Sequence, residues 1–275
     1  MTTARPPAGS PAPRSRGRRT SRTALGLAGL VALLAAAEVL PRAGLVPAEF
    51  APPASRIAVA LADQAGDLTF WFAVRDTLVA WAVGLAIAVA AGVVLGIAIG
   101  SVPFVRAFTA STIEFLRPIP SVALIPLAVL LFGTRLPSTL MLVVYASFWQ
   151  VLIQTLAGVA DVDPVAEDTA RSFGLGMWAR IRHVTWPTAL PYVMTGVRLA
   201  ATVALVLAVT AELIIGSPGL GQHIAVAQAS QAVPEMYALI VVTGLLGVIV
   251  NICFRAVERR VLWWHPSVSR EVVVQ

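Results

Sequence analysis

Apolar residues in this chain come in long runs, separated by short segments rich in Arg, Pro and Gly. Thr77–Gly100, Pro137–Gly158 and Met236–Phe254 contain no charged residue. Each approaches or exceeds the roughly 20 apolar residues that cross a bilayer core. Pro187–Gly216 is longer and carries Arg198 and Glu212. Ala24–Leu40 is broken near its end by Glu38. Pro118–Gly133 is short and is expected to extend back through Ser111. The pattern predicts six spans, all helices, because lipid offers no partner to an unbonded backbone amide. Residues 1–22 are rich in Pro, Ser, Thr and Arg and lack apolar periodicity, so a disordered basic tail is expected there. Residues 23–265 then form one membrane domain, and 266–275 a second tail. Ala24–Leu40 also fits a signal peptide cut near Ala35–Ala37; a retained span is preferred, since a cytoplasmic Arg-rich tail needs it.

Composition agrees. Of 275 residues, 58% are hydrophobic and 12% charged, against about 25% charged in soluble domains. The net charge of +6 is scattered between apolar runs, where a nucleic-acid surface would cluster it, so no nucleic-acid partner is expected; membrane lipid is. The basic residues are all Arg, and their placement predicts orientation. With the N-terminus in the cytoplasm, the outside segments hold only Arg42, Arg56, Arg75 and Arg135. The tails, Arg106, Arg117, Arg171, Arg180 and Arg182 fall inside. The positive-inside bias therefore puts both termini in the cytoplasm. The lone Cys253 forms no internal disulfide. His183, His223 and His265 are scattered, so no metal cluster is expected. No Walker-type phosphate loop appears, so no nucleotide or other cofactor is expected on this chain.

Gly92, Gly96 and Gly100 give one helix a glycine face, suited to close packing within the subunit or, less favoured, to a dimer seam. Gly244 and Gly247 read the same way. The most informative polar segment is residues 161–187. Asp163 and Pro164 suit the start of a short helix, with Glu167 and Asp168 in its first turns. Gly174 suits its left-handed end. A second short helix should run to Pro187, with Met177, Trp178, Ile181 and Val184 at helical spacing.

This segment resembles the EAA loop of ABC importer permeases: an acidic residue, two small residues, then Gly, an aliphatic residue and Pro at fixed intervals. Asp168, Thr169, Ala170, Gly174, Val184 and Pro187 match every interval. Asp for Glu at 168 and Thr for Ala at 169 are mild departures. Over roughly residues 60–265 the chain is similar to nitrate/sulfonate/taurine permeases, through Leu116–Leu127, Leu131–Gly133, Thr155–Val159, Ala189–Pro191, Gly196–Arg198, Ala211–Glu212, Gly219–Gly221 and Val257–Arg260. The resemblance implies an all-α membrane protein of type I ABC importer permease fold, with a five-helix core plus a peripheral N-terminal helix. It implies a homodimer, two cytoplasmic ATPase subunits and an extracytoplasmic solute-binding protein. It also implies an ATPase-coupling role for Asp168, Ala170, Arg171, Gly174, Val184 and Pro187.

Other polar residues have competing uses. Glu212 is either a pathway residue or half of a structural pair, since intramembrane charges face a cavity or a partner. Arg198 is favoured as structural. Glu114 and Arg117 are expected to form a helical surface pair. Gln150, Ser147 and Tyr145 suit packing hydrogen bonds first and pathway lining, for Gln150 above all, second. A secondary transporter would show internal repeats, and an intramembrane enzyme a nucleophile with its base; the sequence offers neither.

Overall fold

The computed structural model describes residues 17–264, with side chains from Ala24 onward. Residues 1–16 of the expected tail, the tail 266–275 and His265 lie outside the described residues. Residues 17–22, expected in the tail, are instead the first turns of helix α1 (Gly17–Arg42). The last preceding proline is Pro13, and arginine is a good helix former, so nothing stops the span's helix from extending back.

Residues up to Ala58 pack as one unit, and those from Val59 as a second. In the first, Glu38 accepts hydrogen bonds from the Ser55 amide and hydroxyl, both at 2.9 Å, and pairs with Arg42 at 2.6 Å. The charges that interrupt the apolar run thus satisfy one another. Leu27, Leu30, Leu33 and Leu34 of α1 stay exposed, a surface suited to lipid tails.

Helix α2 (Ala54–Ala65) leads into the second unit. There follow α3 (Leu68–Ser101), α4 (Pro103–Leu116), α5 (Ile125–Phe132), α6 (Leu136–Ala160), α7 (Pro164–Ser172), α8 (Met177–Arg180), α9 (Trp186–Ile215), α10 (Leu220–Ala229) and α11 (Val233–Val261). Asp67 caps α3 by accepting from the Thr69 amide at 3.0 Å, a bond that holds its carboxyl below the usual range. Among the described residues, five helices are long and apolar enough to cross a membrane.

The glycine face of α3 packs against α6. A Cβ built on Gly84, Gly92, Gly96 or Gly100 would come within 2.9 Å of Val143, Val151, Thr155 or Val159 respectively. Packing within the subunit is therefore the use of this face. Gly247 likewise faces Leu205, whereas Gly244 has no neighbour within 4 Å. Partner numbers on α6 rise in step with the glycine numbers, so α3 and α6 run parallel. Two parallel spans require the chain to return across the membrane between them, and only 102–135 can do so.

That return is not the single helix expected over Pro118–Gly133. α4 and the segment Ser121–Phe132 meet at 82°. Pro118 and Pro120 explain the break: neither has an amide hydrogen to donate, and each disfavours a helical residue before it. The freed Leu116 carbonyl accepts from the Tyr145 hydroxyl at 2.7 Å and from the Ile119 amide at 3.2 Å. Counting this bent pair as one crossing gives six spans.

α9 is the centre of the unit. Gly158 of α6 lies against Ala189 and Tyr192, and Gly196 against Gln154 and the Gln150 carbonyl, so α9 is antiparallel to α6. Its Ala200, Ala201, Ala204 and Ala208 are buried with Leu85 of α3, Val151 of α6 and Val250 of α11. Small side chains let these backbones approach closely, the usual way to hold helices together where lipid is as apolar as the core.

Candidate coupling loop and membrane-buried charges

The segment 161–187 begins at the end of α6. Asp163 accepts from the Val165 amide at 2.9 Å and Pro164 occupies the first turn of α7, which satisfies the orphan donors there. At the other end Gly174 has φ +75°. The Gly174 amide donates to the Arg171 carbonyl at 2.9 Å and the Leu175 amide to the Ala170 carbonyl at 3.0 Å. This pair of bonds is a Schellman turn. Ala170 is buried beneath it, so a small residue at that position has a packing reason.

The second half differs from expectation. α8 does not stop at Pro187. It passes through a π turn, Ile181–Thr185, into α9, making one continuous helix of 39 residues, Met177–Ile215. Wider π bonding absorbs the amide that Pro187 lacks, so the proline sits in the first turn of α9 rather than ending a helix. Val184 is half-buried in that turn and Pro187 is exposed.

Two charge contacts hold residues 161–172 to this long helix, through Arg180 and Tyr192. Glu167 pairs with Arg171 at 2.8 Å and with Arg180 at 3.1 Å. Tyr192 donates to the Asp161 carboxylate at 2.8 Å. Asp168 is exposed and lies 4.0 Å from Arg171. Of the expected apolar stripe, Met177 and Trp178 are exposed, at 48% and 83%, whereas Ile181 and Val184 are half-buried; Val165 and Phe173, outside that stripe, are 71% and 80% exposed. Sequence reasoning missed the Glu167–Arg180 clamp. The spacing of Glu167 and Arg171 marks a pair on one helix, but nothing local signals a bridge between helices.

Glu212 is fully buried. Its carboxylate accepts from the Thr77 hydroxyl at 2.8 Å and the Gly221 amide at 3.0 Å. The Thr77 hydroxyl in turn accepts from the Leu220 amide at 2.8 Å. The pair caps the start of α10, and Gly219 lets its backbone lie directly on the carboxylate, where a Cβ would overlap it. Both bonds to the carboxylate are made by Oε2; Glu212 Oε1 is buried with no hydrogen-bond partner among the described residues. Arg198 pairs with Glu258 at 3.2 Å. Ser147 donates to the Ala200 carbonyl at 3.4 Å. Gln150 is half-buried on the side of α6 that faces α9.

Arg117 is not where arginine counting put it. Leu116 lies at the level of Tyr145 on α6, and the cavity lined by Arg117 reaches Ile153, Leu156 and Ala157. α6 has 25 residues and its midpoint is Phe148, so Arg117 sits near mid-depth and not in the cytoplasm. The expected Glu114–Arg117 pair is also absent: among the described residues neither makes an ion pair within 4.0 Å. Both nonetheless line the same cavity.

The family profile described as "Binding-protein-dependent transport system inner membrane component" matches residues 88–263. The chain belongs to this family. It is an inner-membrane permease that crosses the bilayer several times, not an enzyme, and membership brings an ATPase and a solute-binding protein as partners. The permease is 33% identical over 80% of its length, and 82% of the relative's, to the taurine transport system permease protein TauC of Escherichia coli (strain K12). It is 29% identical to the putative aliphatic sulfonates transport permease protein SsuC of Bacillus subtilis (strain 168), over 68% of its own length and 67% of the relative's. In fold it matches a chain of the inward-facing MetNI methionine ABC transporter with TM-score 0.61 at 17% identity, covering 70% of this chain and 96% of that one.

Proposed function

We propose that this permease imports a small oxyanion, such as a sulfonate, taurine or nitrate, delivered by the binding protein on the outer side. Two copies enclose the pathway, and both termini of each lie in the cytoplasm. One ATPase subunit seats on the 161–187 loop of each copy, with Asp168, Ala170, Arg171, Gly174, Val184 and Pro187 shaping that contact. Glu212 holds the outer loop and α10 against α3. The substrate class follows the relatives named for taurine, aliphatic sulfonates and, in Synechocystis, nitrate import.

One observation carries the coupling role. The loop exposes Val165, Phe173 and Trp178 on a scaffold fixed by a cap, a Schellman turn and the Glu167 clamp. A rigid apolar patch outside the bilayer seeks a partner. Gly174 tests it. A Cβ there meets nothing within 4 Å, so Gly174→Asp strains only the turn, by about 1 kcal/mol, and leaves the subunit folded. Its side chain then projects into whatever seats on the loop. The expected outcome is loss of ATPase co-purification and of uptake in reconstituted vesicles, with Asp168→Ala milder. Normal complex yield and normal uptake by Gly174→Asp would sink the assignment.

A further inference from the structure

The bent crossing leaves a guanidinium in an unusual place. Arg117 stands at the break between α4 and the Ser121–Phe132 segment, bracketed by Tyr145 and Ile153 on a helix whose midpoint is Phe148. It lines a cavity of about 710 Å³ with Arg106, Glu114, Ile113, Ile153 and Leu156. Two guanidiniums and one carboxylate give that cavity a net positive charge. Among the described residues neither Arg106 nor Arg117 has a carboxylate within 4.0 Å.

An unpaired arginine at this depth is costly against lipid tails and is tolerated where it faces water or a partner. The hydrocarbon core is about 30 Å thick, so lipid phosphates stand about 15 Å from its centre. Arg106, nearer the end of α3, is within reach of that level; Arg117 is not. Breaks in membrane helices near mid-depth are also where transported solutes meet protein. A guanidinium offers several donors in one plane and suits the oxygens of a sulfonate or nitrate.

We infer that Arg117 contacts the oxyanion in transit, as a solute-binding residue at the centre of the pathway. This rests on the import of an oxyanion proposed above. The recognised chemistry, a small oxyanion group, is shared with lipid phosphate, and the experiment separates the two. The full complex with ATPase and binding protein is reconstituted in vesicles, and uptake of radiolabelled taurine and nitrate is measured. Arg117→Gln is expected to lower uptake by about tenfold or more, the effect of one lost charge-assisted hydrogen bond, with the loss appearing in transport rather than in complex yield. Arg117→Lys recovers most of it, because charge and depth are kept. In a Cys253→Ser background, Arg117→Cys should react with a charged, membrane-impermeant thiol reagent, and substrate should slow the reaction. Equal uptake by wild type and Arg117→Gln overturns the inference, as does labelling of Arg117→Cys by lipid-soluble reagents alone, the lipid-facing result. A wild-type complex that imports neither probe while its ATPase still docks and cycles overturns the substrate reading and this inference with it, and leaves the coupling loop standing.

Discussion

The contact between α3 and α6 allows a sharp test, because its glycines differ in which partner atom obstructs them. At Gly84 an added Cβ would lie 2.5 Å from Val143 Cγ1 and 3.0 Å from Val143 Cβ. At Gly92 it would lie 2.8 Å from Val151 Cβ and 2.9 Å from Cγ1. Carbon pairs rest at about 3.5–4.0 Å, so both substitutions force the helices apart, and overpacking of this kind costs about 1–3 kcal/mol. The partners part company on truncation. Val143→Ala removes the atom at 2.5 Å and leaves one at 3.0 Å, a contact that a small shift absorbs. Val151→Ala keeps the Cβ at 2.8 Å and relieves almost nothing. Thermal unfolding of the purified permease in detergent, run as two double-mutant cycles, checks this. The expected coupling is about 1 kcal/mol or more in favour of Gly84→Ala with Val143→Ala, and near zero for Gly92→Ala with Val151→Ala. Equal coupling in the two cycles, or no cost for Gly84→Ala alone, would refute the parallel register on which the six-span count depends.

Two further outcomes are expected. Glu212→Ala strands the Gly221 amide in a buried site and should cost about 3 kcal/mol, one charged hydrogen bond plus the packing lost; a melting temperature within 1–2 °C of wild type would contradict the cap on α10. A reporter active only in the cytoplasm should work when fused after Gln275 and fail when inserted near Ser217; the reverse pattern would invert the proposed orientation.

Much of this architecture is legible in the sequence because it depends on local signals. The glycine spacing of α3, the Asp163–Pro164 start and the Gly174 turn each follow from what a few neighbouring residues permit. The spacing of Asp168, Gly174, Val184 and Pro187 likewise marks the permease family without any long-range contact. The misses share a cause. A hydropathy window averages across Pro118 and Pro120 and merges α4 with α5, so Arg117 reads as a cytoplasmic flank. Pro187 reads as a stop because one residue cannot announce that a π turn will absorb its missing amide. The Glu212–Thr77 cap and the Glu167–Arg180 bridge join residues from different helices, and their partners emerge only from packing.

The continuous helix Met177–Ile215 makes the coupling loop one end of a lever. At 1.5 Å per residue its 39 residues span about 58 Å, nearly twice the thickness of the hydrocarbon layer. With its fulcrum in the alanine-lined middle, a tilt of about 10° swings each tip by about 5 Å in opposite directions. A modest displacement of α8 by the partner proposed to dock there would arrive at Glu212 and α10, at the other end of the helix, as a movement the size of a small solute.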